Sequence, residues 1–459
     1  MADLRRLMKA SVKKRRVRLS ATQIIAIGFA VLILLGAGLL TLPAASRNGV
    51  SCGFFPALFT ATSATCVTGL VLFDTYTQWS AFGQVVIICL IEIGGLGFMS
   101  AASTFVFLLR KKVGLRQKMV IAQALNLNDM DGVVKIQKLV LTGSLTIQAV
   151  GALILLLRFW PEFGFRQALI WGVFHYISAF CNAGFDIFGM IAPGQSLIIF
   201  NDDPIVCLTL MALVTVGGLG FLVWEELARV RKFKKFSVYT KLVLLMTAGI
   251  LLVGTVVILL LEWDNPATFG PMPVWQKIMN AFFQTGTLRT AGFVTVDQLA
   301  LRDSTKAFSI LVMFIGGSSG STAGGLKTVT ILVLLLFVWA KARGRQSVHI
   351  FKRNIPAEKA VDAMTITLIT VVLSIFGAIL ISAVSAASFL DSWYEAVSAI
   401  CTVGLTAAGT ANLGILAQSL IIVFMYFGRV GILTLSLGFL MGDKAKDRFQ
   451  YADTNLLIG

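Results

Sequence analysis

The chain has 459 residues, of which 57% are hydrophobic and 13% are charged. A soluble protein of this length carries about twice that charged fraction, so the composition excludes a soluble enzyme and indicates an integral membrane protein. The formal net charge of +17 would suit a nucleic-acid-binding protein, but no basic segment alternates with aromatic residues as such a surface requires. We therefore predict no nucleic-acid partner.

The chain begins with a basic arm, residues 1–18, which holds eight Lys or Arg. An apolar run follows from Ala21 to Leu42. A signal peptide begins in the same way, but its apolar region is only about 7–15 residues long. We interpret the run as an uncleaved transmembrane helix.

Eight apolar runs are long enough to cross a hydrocarbon core about 30 Å thick. They begin near Ala21, Trp79, Leu139, Ile205, Tyr239, Phe308, Met364 and Leu416. Four shorter stretches lie between successive pairs of runs and are predicted to be re-entrant half-helices: 53–66, 166–181, 274–288 and 389–401. The fold class is therefore an all-α polytopic membrane protein, with eight transmembrane helices arranged as four span–pore-helix–span repeats around one pore.

A short string recurs once in each repeat. It has an aromatic residue, a small residue four positions later and a glycine six positions after that, and its glycines are 115, 108 and 112 residues apart. The copies are Phe59, Ser63, Gly69; Phe174, Ser178, Gly184; Phe282, Gly286, Gly292; and Tyr394, Ser398, Gly404. Four matches at this spacing favour a repeated unit over ordinary glycine packing between membrane helices.

The end of each string has the residue types of a cation filter. Backbone at membrane depth is tolerated where it lines a wet cavity, and carbonyls from four such loops can replace the hydration shell of a monovalent cation. Each half-helix would also direct its partially negative C-terminal end at the ion. The predicted ion-binding residues are Val67, Thr68, Gly69, Asn182, Ala183, Gly184, Thr290, Ala291, Gly292, Thr402, Val403 and Gly404.

A second glycine motif follows each filter string, and in the third repeat it widens into ten small residues within an apolar run. Such a sequence disfavours a continuous helix, so we predict an intramembrane gate loop below the filter. Its residues are Gly316, Gly317, Ser318, Ser319, Gly320, Ser321, Thr322, Ala323, Gly324 and Gly325. In the fourth repeat Arg429 lies in the centre of an apolar run, with the loop carbonyls or Glu92 as candidate partners.

The cysteines and histidines do not indicate a metal site or an enzyme. Cys66, Cys181 and Cys401 share one repeat position, where the third repeat has Arg289, and we interpret them as packing residues. His175 is predicted to pack or form hydrogen bonds within its half-helix. We expect no enzymatic activity and no organic cofactor.

Of the 39 basic residues, 30 lie in segments that fall on one side of the membrane if the eight spans are correct. This positive-inside pattern predicts a multi-pass protein of the plasma (inner) membrane with both termini in the cytoplasm, its basic loops near anionic lipid. The predicted divisions are the arm 1–18, repeat 1 (19–110), repeat 2 (138–228), repeat 3 (238–340, with gate loop 316–325), repeat 4 (358–440) and a cytoplasmic tail 441–459.

The chain resembles the Trk/Ktr/HKT superfamily of potassium transporters over nearly its whole length. The resemblance rests on the four span–pore–span units, the single-glycine strings, the loop of glycine and serine residues, and the arginine of the fourth repeat. Eight spans and the short ending of residues 455–459 resemble the Ktr-type membrane subunit (KtrB). The resemblance implies K⁺ uptake, with Na⁺ as a candidate coupling or activating ion. It also implies a homodimer and a cytoplasmic, nucleotide-binding RCK-type ring, similar to KtrA.

Two other classes of protein remain open from the residues alone. An alternating-access carrier also uses broken helices, but it usually has two repeats and intramembrane carboxylates, of which Glu92 is the clearest example here. A membrane scaffold without transport activity leaves the four glycine strings unexplained.

Overall fold

The computed structural model describes residues 21–97, 133–345 and 347–431. The predicted arm 1–18, the tail 441–459 and the ends of repeats 1 and 4 (98–110 and 432–440) lie outside the described residues. The described part is mostly helical, with non-helical segments between the helices and one short hairpin.

The described helices are α1 (Ala21–Thr41), α2 (Phe54–Cys66), α3 (Ala81–Leu96), α4 (Val133–Phe180), α5 (Pro204–Leu219), α6 (Phe221–Val230), α7 (Val238–Glu262), α8 (Val274–Thr287), α9 (Asp303–Met313), α10 (Thr328–Ala342), α11 (Ala357–Val384), α12 (Phe389–Ile400) and α13 (Ile415–Val430). A four-residue helix, Thr75–Gln78, and several 3-10 turns lie between them. The hairpin pairs β1 (Val348–Ile350) with β2 (Arg353–Ile355) in antiparallel register.

Four of the described helices are long and apolar enough to cross a membrane: α1, α4, α7 and α11. A fifth span results if α5 and α6 are counted together. Large apolar side chains are exposed on these helices, including Leu35, Leu252 and Leu368, each with more than half of its surface accessible. Apolar side chains facing outward around a core that holds many polar groups are the arrangement expected of a protein surrounded by lipid.

Each predicted half-helix corresponds to a short helical segment that ends where a filter string begins. Three of these are separate helices, α2, α8 and α12. The fourth is the last part of α4, which breaks at Gly164, where φ is 75° and ψ is 160°. Pro161 precedes this break, and a residue with positive φ cannot continue a right-handed helix.

The second apolar run of each repeat differs from the prediction of one continuous span. In repeats 1, 2 and 4 the helix ends at a glycine with φ close to 90°: Gly97, Gly220 and Gly431. After Gly220 the chain continues as α6 at 96° to α5. In repeat 3 the chain is non-helical from residue 314 to residue 327. The glycine motifs of repeats 1, 2 and 4 therefore end helices.

The first glycine of the motif has a packing role in the same three repeats. A Cβ atom on Gly94, Gly217 or Gly428 would lie closer than 3.0 Å to a backbone carbonyl oxygen at the end of a pore helix. These carbonyls belong to Thr65, Phe180 and Ile400. Because glycine has no Cβ, α3, α5 and α13 pack directly against the ends of the helices that support the filter strings.

Candidate functional site

The four filter strings share one backbone conformation. In each string the glycine has positive φ, at 98°, 69°, 79° and 92° in chain order. The residue two positions before it also has positive φ, although none of these residues is glycine. They are Val67, Asn182, Thr290 and Thr402. Non-glycine residues, above all β-branched ones, rarely adopt this conformation, so its repetition in four copies marks a constrained site.

The four strings meet at one place. A Cβ atom added to Gly69, Gly184, Gly292 or Gly404 would lie closer than 3.0 Å to backbone atoms of a neighbouring string. Gly69 lies between Gly184 and Gly404, and Gly184 lies next to Gly292. A Cβ on Gly292 would in turn contact Val403 O in the fourth string, so each string contacts the next. The four predicted glycines therefore form a closed ring of backbone segments from all four repeats.

Hydroxyl groups from the pore helices hold the strings in place. The Ser63 and Ser398 hydroxyls each accept a hydrogen bond of 3.1 Å from the backbone N–H of the filter glycine. Ser178 Oγ donates to Phe185 O at 2.6 Å. Repeat 3 has Gly286 at the serine position, and Thr287 Oγ1 instead donates to Phe293 O at 2.7 Å. The repeated pattern did not reveal Thr287, because its hydroxyl lies one position later.

Three filter hydroxyls have no hydrogen-bond partner among the described residues. They are the buried Oγ1 atoms of Thr68, Thr290 and Thr402. A buried hydroxyl without a partner costs free energy. Three of them in one ring give a set of unused oxygens that matches the chemistry of a cation site.

A cavity of about 310 Å³ opens on one side of this ring. All four filter glycines line it, together with three carboxylates, Asp74, Asp186 and Asp297. Asp186 lies in the loop between α4 and α5, and its pKa is raised to about 6, mainly by burial and also by the nearby Asp74, against hydrogen bonds that lower it. Acidic groups at the mouth of a narrow polar site raise the local concentration of cations.

The predicted gate loop lies on another side of the same ring. Gly316 N donates to Leu326 O at 2.9 Å and so joins the two ends of the loop, which we call its neck. The Thr322 hydroxyl donates to Phe180 O at 2.9 Å and lies 3.2 Å from the side-chain amide of Asn182. A Cβ atom on Gly324 would lie closer than 3.0 Å to Thr402 Oγ1. The loop is thus in direct contact with two filter strings.

Arg429 connects this loop to the first repeat. Its Nη1 donates to Thr322 O at 2.6 Å, and its Nη2 donates to Gly94 O at 2.5 Å and Gly95 O at 3.0 Å. Three carbonyl acceptors stabilise the partly buried guanidinium group, because hydrogen bonds from a charged donor are strong.

Of the two candidate partners of this arginine, the loop carbonyl of Thr322 accepts a hydrogen bond from it and Glu92 does not. The Glu92 carboxylate instead accepts from Gln148 Nε2 at 3.2 Å and from Cys181 Sγ at 3.3 Å, and no ion pair among the described residues joins it to Arg429. The expected position in the centre of a helix was wrong, because Gly431 ends α13 and Arg429 lies in its last turn. A cation in the last turn is favoured by the helix dipole.

The three cysteines of the shared repeat position and His175 are buried among packed side chains. Cys66, Cys181 and Cys401 are buried free thiols. His175 Nδ1 lies 2.8 Å from Trp171 O, Nε2 accepts from Ile187 N at 3.3 Å, and the ring stacks on Phe188. No group of three His, Cys, Asp or Glu residues in the described ranges could hold a metal ion.

Comparison with known proteins identifies the family. Residues 7–447 match the family model described as "TrkH: Cation transport protein". The chain belongs to the TrkH family of cation transport proteins. It is therefore a multi-pass membrane transporter and not an enzyme, as the sequence predicted, and the predicted resemblance to the Trk/Ktr group is confirmed.

Individual relatives cover almost the whole chain. It is 38% identical to the potassium/sodium uptake protein NtpJ of Enterococcus hirae, over 99% of this chain and 100% of that protein. It is 39% identical to the Ktr system potassium uptake protein B of Bacillus subtilis, over 96% and 98%. The crystal structure of the potassium transporter TrkH from Vibrio parahaemolyticus superposes with a TM-score of 0.71 at 19% identity, covering 93% of this chain and 86% of that chain, which shows the shared fold.

Proposed function

We propose that this protein is a K⁺-uptake subunit of the Ktr type, in which cations pass through one channel-like pore per chain. The observation that carries the proposal is the ring of four filter strings, with its matching positive-φ residues and its threonine hydroxyls that bond no other described residue. The printed functions of NtpJ and of the Bacillus subtilis Ktr protein support K⁺ as the transported ion.

The filter strips water from the ion and replaces it with protein oxygens. Carbonyls of the four strings coordinate the dehydrated cation, and the hydroxyls of Thr68, Thr290 and Thr402 contribute further oxygens at the ring. The carboxyl ends of the pore helices add partial negative charge. None of the strings is a full T-V-G-Y-G, so the proposed filter is shorter than that of a tetrameric potassium channel.

The loop 316–325 is the proposed gate. It lies against the filter at Asn182 and Thr402, and Arg429 holds it through Thr322 O. A loop in this position blocks the exit from the ring, and the arginine charge also repels a cation that leaves it. Opening requires the loop to move away from the ring and the Arg429–Thr322 hydrogen bond to break.

The membrane potential supplies the driving force. Moving one cation inward across about 100 mV contributes about 2.3 kcal/mol, which corresponds to an accumulation of about fiftyfold without ATP. We further propose eight spans in four repeats, both termini in the cytoplasm and a homodimer. Na⁺ would act as a second transported or activating ion, as the name of NtpJ suggests for that relative.

A cytoplasmic regulatory ring of the RCK type is the proposed partner. The basic segments 229–241 and 341–359 would form its docking face or a contact with anionic lipid head groups. The structure brings the two segments together, since Lys241 Nζ lies 5.5 Å from the centre of the Phe351 ring at the hairpin turn. Positive-inside topology alone also accounts for such charge, so a partner needs a separate test.

The test of the function is ion flux in vesicles containing only the purified protein. We expect saturable ⁸⁶Rb⁺ uptake that follows an imposed inside-negative potential and that K⁺ inhibits more strongly than Na⁺. Uptake that does not respond to the potential, or equal inhibition by choline, would contradict a cation pore. Discrete single-channel currents would distinguish a channel from an alternating-access carrier, which turns over too slowly to give them.

A further inference from the structure

Arg289 breaks the fourfold pattern at the end of the third pore helix. The other repeats have Cys66, Cys181 and Cys401 at this position, three residues before the filter glycine. Arg289 follows α8 by two residues and is buried, with 6% of its surface exposed. The third repeat thus places a large cation where the other three repeats have a small neutral thiol.

The surroundings of Arg289 do not neutralise its charge. Its Nη2 donates to Gly316 O at 3.4 Å, and its Nε has no hydrogen-bond partner in the described part of the chain. None of the ion pairs among residues 21–97, 133–345 and 347–431 involves Arg289. Burying a charge with so few partners is costly, and a cysteine would avoid that cost, so packing alone does not account for this side chain.

The acceptor of its hydrogen bond lies at a critical point of the loop. Gly316 forms the neck, because its N–H donates to Leu326 O. A Cβ atom on Gly316 would lie closer than 3.0 Å to the backbone of Gly324, near the end of the loop. Gly317 and Arg289 line one cavity of about 10 Å³, roughly the space of a single water molecule. A substitution of Arg289 would therefore alter the packing and hydrogen bonding of the neck.

We propose that Arg289 is a second latch of the loop 316–325, acting as a positioning residue alongside Arg429. Arg429 holds the far half of the loop at Thr322 O, while Arg289 holds the neck at Gly316 O. The two arginines belong to different repeats, and they add two charged donors to neutral contacts of the loop such as Tyr239 Oη to Ser319 O and Thr322 Oγ1 to Phe180 O. Lys327 also donates to the loop, at Ala323 O, but it is part of the returning segment and moves with it.

The consequence for ion flux rests on the proposed function, whereas the consequence for loop mobility does not. With Arg289 in place, opening requires two hydrogen bonds from charged donors to break, and such bonds are stronger than those between neutral groups. With a thiol at this position the neck keeps only neutral contacts, such as the hydrogen bond from Gly316 N to Leu326 O and the 3.1 Å contact between the Ser318 and Thr328 hydroxyls. Lysine retains the charge and a donor for this single-acceptor contact, so it should retain most of the latch.

The experiment compares R289C, R289Q and R289K with wild type in lipid nanodiscs and in vesicles. R289C restores the residue type of the other three repeats. R166Q, which removes an exposed arginine at the start of the second pore-helix segment, is the matched control for the change in net charge. Amide hydrogen exchange of peptides covering 314–327 reports on the loop, and ⁸⁶Rb⁺ uptake reports KM and Vmax.

We expect R289C and R289Q to accelerate exchange of the loop amides by about threefold or more, with R289K and R166Q close to wild type. We expect a similar rise in Vmax for R289C and R289Q, with KM within twofold. Unchanged loop exchange in R289C, or a lysine variant as fast as the cysteine variant, would overturn the latch. If wild-type vesicles show no Rb⁺ uptake while loop exchange still responds as expected, the latch stands and the proposed function fails.

Discussion

The filter ring and the loop beside it are built in opposite ways. The ring uses four copies of one conformation, with positive φ at each filter glycine and two residues before it. Among the described residues such a loop occurs in the third repeat, and side chains from other parts of the chain hold it, including Tyr239, whose hydroxyl donates to Ser319 O at 3.1 Å. Coordination of a central ion needs equivalent oxygens from all sides, whereas one movable segment is enough to block a pore.

This contrast predicts that substitutions in the two regions change different properties. Changes in the ring should alter which ion passes, and changes in the loop should alter how fast it passes. Substitutions in the ring, in the loop, in the basic segments and in the acidic cavity test whether ion selectivity and transport rate depend on different regions.

The largest effect is expected from serine at a filter glycine. Gly404→Ser places a Cβ at a residue with φ of 92°, within 3.0 Å of the neighbouring string, and should displace one of the carbonyls that we propose coordinate the ion. We expect the preference for K⁺ over Na⁺ to fall by about tenfold, equivalent to about 1.4 kcal/mol. Gly69→Ser, Gly184→Ser and Gly292→Ser should act in the same direction.

The matched control for these variants is Gly38→Ser, at an exposed glycine where an added Cβ would meet no described atom within 4 Å. Competition between ⁸⁶Rb⁺ and ²²Na⁺ in vesicles is the measurement. Wild-type selectivity in all four filter variants would show that these glycines do not form the filter.

A somewhat smaller effect is expected at the gate. Deleting residues 318–323, or changing Arg429 to Gln, should raise the maximal rate of ⁸⁶Rb⁺ uptake by about threefold to tenfold, because each removes part of the proposed gate. The apparent affinity should remain within a few-fold, since the ring is intact. A well-expressed deletion with unchanged or lower Vmax would favour a purely structural role for the loop.

Regulation gives a third, more moderate effect. Changing several basic residues of 229–235 and 341–353 to Gln should weaken co-purification of a cytoplasmic regulatory subunit at physiological salt, because an acidic docking surface would lose its counter-charges. Topology must be checked in the same variants. If orientation is preserved and co-purification is unchanged, the charges serve topology alone.

The smallest effect is expected at the acidic mouth of the ring. Asp297→Asn removes one of the three carboxylates that line the 310 Å³ cavity beside the ring and should raise KM for Rb⁺ about twofold at low ionic strength, with Vmax unchanged. Asp202→Asn is the control, since Asp202 is exposed and does not line the cavity. An equal change in both variants would reflect net charge and not the mouth.

Much of this arrangement could be predicted from the sequence, because repetition amplifies a weak signal. Any one glycine string is ambiguous, but four copies at nearly constant spacing located all four segments that meet in the ring. The non-helical stretch of repeat 3 was equally predictable, since five of the ten residues 316–325 are glycine.

Other features left no distinct mark in the sequence. A glycine that packs helices and a glycine that ends one look alike in a sequence, so the helix ends at Gly97, Gly220 and Gly431 were not predicted. The acceptors of Arg429 are backbone carbonyls, which every residue has, so the sequence could not decide between the loop carbonyls and Glu92 as its partner.

Thr287 was missed for a related reason. Its hydroxyl takes over the role of the repeated serine from the adjacent position, so an alignment of the four strings shows only Gly286 there. The hydrogen bond to Phe293 O depends on where the side chain points, which the spacing of the strings does not specify.

The most direct test of the division between ring and loop is one vesicle experiment on Gly404→Ser, Arg429→Gln and the double variant. Selectivity, KM and Vmax for ⁸⁶Rb⁺ would be measured in the same preparation. We predict that the first variant loses selectivity, that the second gains Vmax, and that the double variant shows both changes, each within about twofold of its single-variant value. If Arg429→Gln alone lowered selectivity as much as Gly404→Ser, the ring and the loop would not have separate roles.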